Sequence, residues 1–119
     1  VIVSTPQEVA LLDVRKAINM FKKVNVPILG IIQNMSFIEI NKEKQYIFGK
    51  NGVIKESKKQ NIRFLGEIPI IQKISEAGDK GNPLASKKTS DIYDIFKKIS
   101  NELKISLSEK KNSKIKISN

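Results

Sequence analysis

Between Pro27 and Asn34 the chain reads Pro-Ile-Leu-Gly-Ile-Ile-Gln-Asn, apolar at odd and even positions alike. Successive side chains of a strand point to opposite faces, so a strand of this composition is buried on both. Parallel sheets covered by helices on either side bury their strands in that way, whereas antiparallel sheets with one wet face show alternation. The segment therefore points to an α/β fold, and the rest of the chain must supply the covering helices.

Val1-Ile2-Val3 reads as the inside of another buried strand. Thr5 and Glu8 have the spacing of a capping box, and Pro6 takes the first helical position, where its missing N–H costs nothing. Ala10, Val14, Ala17, Ile18 and Phe21 then share one helical face, with Asp13, Arg15, Lys16 and Lys22 outside it, up to an end near Asn25. The segment from Phe37 to Phe48 admits either a hairpin, with Asn41-Lys42-Glu43-Lys44 as its turn, or an irregular loop. Asn51-Gly52 signals a turn before a weakly amphipathic helix from Val53 to Lys59. Phe64 to Ile68 reads as a third strand, stopped by Pro69. Ile70, Ile71 and Ile74 fit one side of a short helix closed by Gly78. A last helix from Ser90 to Leu103 turns Ile92, Ile95, Phe96, Ile99 and Leu103 inward. Lys104 to Asn119, with five lysines against Glu109, is expected to be a disordered basic tail.

Strands and helices thus alternate through two βα crossovers, the pattern of a doubly wound sheet, and such sheets bind ligands outside the carboxyl ends of their strands. The segments of interest are then Ser4–Gln7, Asn34–Ser36 and Ile68–Ile71. Because the first residue is Val1 and already lies in a buried strand, the expectation is that further sequence, lost by truncation or encoded by a split gene, belongs N-terminal to it.

At 119 residues the chain suffices for one small domain. Its net charge of +10 raises the question of nucleic acid. Yet Arg15 and Arg63 are the only arginines, where base and phosphate recognition favours the arginine fork, and the aromatics do not alternate with lysines as a stacking platform would. No specific nucleic-acid partner is expected. No apolar run approaches a membrane span, and the absence of cysteine excludes disulfides and makes a cytoplasmic address the default. With neither cysteine nor histidine, only carboxylates remain as ordinary metal ligands. The sequence contains no G-x-x-x-x-G-K-[ST] and no G-x-G-x-x-G, so it holds no phosphate-cradling loop of either kind, and no nucleophile–base pair of the usual types.

Four short motifs stand in order: Ser4 to Leu11 (STPQEVAL), Val24 to Ser36 (VNVPILGIIQNMS), Phe64 to Pro69 (FLGEIP) and Gly78 to Pro83 (GDKGNP). In that order and spacing, from Val1 to about Leu103, the chain resembles the C-terminal half of the Mrp (ApbC) family, MinD-like P-loop ATPases that act as iron–sulfur cluster carriers. The resemblance implies a Rossmann-like parallel sheet over residues 1–103, with 104–119 as a tail. It implies a dimeric, cytoplasmic ATPase using ATP with Mg, which holds a bridging cluster and hands it to apoproteins. In that superfamily the asparagine closing the strand touches the adenine, here Asn34. The segment after the next strand borders the same base, here Ile68, Pro69 and Ile70. An amide suits the task because its carbonyl and NH₂ match an acceptor and a donor on the adenine edge. The same residue also suits a simpler role as a strand-capping turn.

Three departures accompany the resemblance. Family members carry C-x-x-C shortly after the asparagine-methionine-serine motif, whereas Phe37 to Gly49 contains no cysteine, and Glu39 and Glu43 are hard donors ill-suited to replace thiolates. Cluster binding by the usual route is therefore not expected even of the complete protein. Ile71 stands where relatives place an aspartate. The phosphate loop and the magnesium and switch carboxylates of the family fall upstream of Val1, so a missing N-terminal half is the first partner implied. Two other readings stay open: a MinD/ParA-like regulatory or positioning ATPase without a cluster, and a basic surface-binding module acting through the lysine-rich tail, where Ile105, Leu107, Ile115 and Ile117 do not form a helical stripe.

Overall fold

A computed structural model describes the backbone of residues 1–117 and the side chains of residues 1–113. The elements run β1 (Ile2–Ser4), α1 (Glu8–Lys23), β2 (Ile31–Gln33), β3 (Ile38–Ile40), β4 (Glu43–Gln45), α2 (Gly52–Lys59), β5 (Phe64–Glu67), α3 (Gln72–Asp79), a 3₁₀ turn at Leu84–Ser86, and α4 (Asp91–Ile117). β2 lies between β1 and β5, parallel to both, while β3 and β4 form a separate antiparallel hairpin. The fold is the α/β arrangement expected, a parallel sheet flanked by helices.

The apolar run from Pro27 to Asn34 forms a shorter strand than its composition suggests, because only Ile31–Gln33 carries the ladder. Its two faces nonetheless feed two cores. Ile31 and Val53, both at 0% exposure, pack with Ile2, Leu11, Val14 and Ile18 under α1 and α2. Ile32, on the other face, packs with Leu65, Ile68 and Ile99 under α4. At β5 a bulge leaves Leu65 without a partner, since Ile31 pairs with Phe64 and Ile32 with Gly66. Gly66 takes φ of +150° there, and a Cβ on it would come within 2.7 Å of Ile99, so α4 sits directly against this backbone.

Helix ends correct the sequence reading in several places. Thr5 and Glu8 do not form a capping box: the helix starts two residues after Pro6, and Gln7 is its cap without a side-chain bond. Thr5 donates instead to Gln7, and Glu8 turns to Arg15. α1 closes at Asn25 (φ 56°), whose N–H bonds to Lys22 O while that of Val26 bonds to Phe21 O, the paired bonds of a Schellman stop. Asn61 ends α2 in the same way, and Gly81, rather than Gly78, ends α3. Gly78 lies inside α3, where its N–H has a helical partner to reach and no positive φ is needed. In the hairpin the turn is narrowed to Asn41 and Lys42, at φ 52° and 65°, the left-handed pair that matches strand twist.

The largest correction concerns the C-terminus. α4 does not stop at Leu103 but continues to Ile117, so the segment from Lys104 is helical rather than a disordered tail; residues 118 and 119 lie outside the described residues. No glycine or proline interrupts the chain after Pro83, and the extension has tertiary partners. Ser106 donates to Leu29 O, Lys110 to Ile28 O, and Arg63 bridges Glu102 and Glu109 at 3.0 and 2.8 Å. Among the described residues no helix is long and apolar enough to cross a membrane.

Candidate functional site

Parallel strands direct their carboxyl ends to one side of the sheet, and here those ends are Ser4–Thr5, Gln33–Asn34 and Glu67–Ile68. The strand order makes the second and third adjacent. Ile68 N–H bonds to Gln33 O at 2.8 Å, Ser36 N–H to Ile68 O at 2.9 Å, and Ile70 N–H to Phe37 O at 2.7 Å. The backbone of Ile68–Ile70 is thereby fastened to Gln33, Ser36 and Phe37 on either side of Asn34, whose own N–H bonds to Ser4 O on β1 at 2.8 Å.

Their side chains do not converge equally. Asn34 is half-buried and faces a groove of about 420 Å³ alongside β1 and α1, shared with Ser4, Thr5 and Asp13. Its carbonyl accepts the N–H of Met35 at 2.9 Å, a local turn contact that orients the amide. Pro69 faces a second groove of about 350 Å³ on the far side of β5, with Phe37, Lys44, Glu67 and Lys98. The Ile68 side chain is buried with Leu65 and Ile99, and both of its backbone polar groups are already engaged, so it supports the rim rather than presenting a bonding group.

A polar cluster that the sequence reading missed lies directly beneath Asn34. Gln33 and Ser36 are both at 0% exposure. Gln33 Nε2 donates to Ser36 Oγ at 2.6 Å, and Ser36 donates to Glu67. Gln33 Oε1 accepts the N–H of Val53 at 3.1 Å, capping a helix whose own cap residue, Asn51, makes no side-chain bond. Lys44 of the hairpin stands 3.9 Å from Glu67 and 4.1 Å from the centre of the Phe37 ring. The available signal was the polarity of Gln33 within an otherwise apolar strand.

A second group ties α1 to α2 behind the site. Arg15 donates to both carboxylate oxygens of Glu56 at 3.1 and 2.8 Å and to Glu8 at 2.8 Å. The Arg15 hydrogen bonds hold the Glu56 carboxyl below the usual range against the opposing effect of burial, and Glu56 in turn raises Arg15. Glu109 and Glu102 likewise raise Arg63.

Among the described residues no group of three or more His, Cys, Asp or Glu side chains is placed to hold a metal ion. Chemically, the Asn34 groove offers one oriented amide, two hydroxyls, a carboxylate and apolar walls, while Lys44 and Lys98 line the separate groove of Pro69. It offers donors for a planar, hydrogen-bonding ligand, with no nucleophile and no phosphate cradle.

The chain is similar to proteins of known name and structure. It is 46% identical over 112 residues to the iron-sulfur cluster transfer protein NUBPL of Dictyostelium discoideum, covering 88% of this chain and 35% of that protein. It is 42% identical over 106 residues to an iron-sulfur cluster carrier protein of Aquifex aeolicus, covering 87% of this chain and 29% of that one. Among solved structures, a nucleotide-binding protein from Archaeoglobus fulgidus in complex with ADP superposes with a TM-score of 0.57 at 35% identity, over 67% of this chain and 35% of that chain. The chain thus spans about a third of the length of these relatives. A family model for ParA, described as the NUBPL iron-transfer P-loop NTPase, matches residues 1–104, and the chain belongs to that family.

Proposed function

We propose that this chain forms the adenine-side section of an ATP-binding iron–sulfur cluster carrier of the Mrp type. The observation that carries the reading is the pairing of β2 with β5, which sets the strand end at Gln33–Asn34 next to the strand end at Glu67–Ile68, on the side where such sheets bind ligands. The ADP bound to the Archaeoglobus fulgidus relative supports it. Asn34 would bond the base edge, and the backbone of Ile68–Ile70 would border its face.

The phosphate loop, the Mg site and hydrolysis of ATP then belong to an N-terminal half that docks on β1. β1 is paired on one side only among the described residues, and its central residue, Val3, is 56% exposed. The complete protein is taken as a homodimer, and apoproteins as the acceptors of the cluster. A cluster would be cargo, and these 119 residues, which contain no cysteine, supply no thiolate to it.

Replacing Asn34 by Ala in the full-length protein tests the reading. Loss of one neutral hydrogen bond predicts up to roughly tenfold weaker ATP binding, about 0.5–1.5 kcal/mol, with GTP less affected because guanine presents a different edge. A folded Asn34→Ala protein that binds ATP as tightly as the parent would reduce Asn34 to a strand cap. Normal ATP binding with no cluster transferred in the presence of acceptor would instead favour a regulatory ATPase.

A further inference from the structure

Asn34 and Met35 are the only residues between two fully buried polar anchors, Gln33 and Ser36. The excursion they form is held from three directions. Gln33 reaches α2 through Val53 N–H, Asn34 N–H bonds to Ser4 O on β1 at 2.8 Å, and Ser36 grips β5 through both Ile68 O and Glu67. Met35, at φ 52°, turns the chain back between the anchors.

The donor order along this chain follows from its end group. An ionised carboxylate only accepts, so Ser36 must donate its proton to Glu67 and leave its lone pairs to the Gln33 NH₂. The Gln33 carbonyl is then left for Val53 N–H. Glu67, the partly exposed member, therefore sets the orientation of the two buried side chains that bracket Asn34 and Met35.

We infer that Gln33, Ser36 and Glu67 form a positioning chain that aims the Asn34 amide and so sets the preference for adenine over guanine, with Glu67 as its terminal determinant. This rests on the adenine reading of Asn34 given above. Glu67→Ala removes the acceptor and frees the Ser36 hydroxyl to rotate. Glu67→Gln keeps a carbonyl acceptor at the same reach.

The test is ADP and GDP affinity in the full-length protein for Glu67→Ala, Glu67→Gln, Asn34→Ala and the Asn34→Ala/Glu67→Ala double variant, with thermal melting of each. Glu67→Ala should weaken ADP roughly three- to tenfold and leave GDP unchanged, while Glu67→Gln restores most of the loss. In the Asn34→Ala background, Glu67→Ala should have no further effect. Equal losses for ADP and GDP, or the same loss with Asn34 already removed, would show a purely structural network and overturn the inference. If Asn34→Ala weakens ADP but Glu67→Ala does not, the positioning chain is wrong and the adenine reading stands. If Asn34→Ala itself has no effect, the adenine reading falls first. Glu67→Asp, which withdraws the acceptor by one methylene, carries the same expected sign should Glu67→Ala not fold.

Discussion

Arg15 on α1 forks onto Glu56 on α2, with Nε and Nη2 donating to the two carboxylate oxygens at 3.1 and 2.8 Å. Glu56 is 3% exposed, and Gln60 adds a further donor at 2.9 Å. A planar guanidinium matches a carboxylate in this way, which a lysine at position 15 would not reproduce. The pair locks together the two helices that cover one face of the sheet.

That pairing has a pH signature. Arg15 depresses the folded-state pKa of Glu56, so the stabilisation is complete above the carboxyl's unfolded value, about 4.3, and is lost as pH falls through the lower folded value. Melting temperatures of the parent and of Glu56→Gln should therefore differ most at pH 6–7 and draw together as pH falls below the carboxyl's unfolded value. A gap that widens on acidification would contradict this assignment.

Gly52 opens α2 against the backbone of Pro6, and a Cβ there would come within 2.2 Å of the Pro6 carbonyl oxygen. A carbonyl cannot rotate away as a side-chain end can. Gly52→Ala should destabilise by about 1–3 kcal/mol, as overpacking does, measured by denaturant unfolding. Gly78→Ala, with nothing within 4 Å of its Cβ, serves as the control and should be neutral or stabilising.

The extension of α4 should contribute to stability although it lies beyond most of the core. Ending the chain after Leu103 removes the Ser106 bond to Leu29, the Lys110 bond to Ile28 and the Glu109 partner of Arg63. Loss of the Ser106 hydrogen bond alone is worth about 0.5–1.5 kcal/mol, or a few degrees in Tm for a domain of this size. An unchanged melting curve would mean that these contacts form without stabilising the fold.

Incubating the 119-residue chain with iron and sulfide should leave no stable absorption band, because the chain has no cysteine or histidine. The same preparation should show no ATPase activity above background, since no phosphate loop is present in the sequence. A stoichiometric chromophore would require carboxylate ligation, and turnover that survives repurification would require a phosphate site of another kind.

The sequence by itself determined the layers and their order. Ile31 and Ile32 are both apolar, so the central strand had to be buried on both faces, and the helical spacing of Val14, Ile18 and Phe21 had to turn one face of α1 to it. The strand-end motifs around Asn34 and Pro69 were legible for the same reason, since they follow directly on apolar runs. Only the tertiary structure decided how those ends are used. Thr5 and Glu8 have capping-box spacing, yet Arg15 draws Glu8 away and the first turn of α2 is capped by Gln33, twenty positions distant. The segment from Lys104 has the composition of a disordered tail, yet it is helical because Leu29, Ile28 and Arg63 receive it. Local pattern encodes periodicity and therefore which faces are apolar; the partner of a polar side chain depends on what folding brings within about 3 Å, and that is a property of the whole chain.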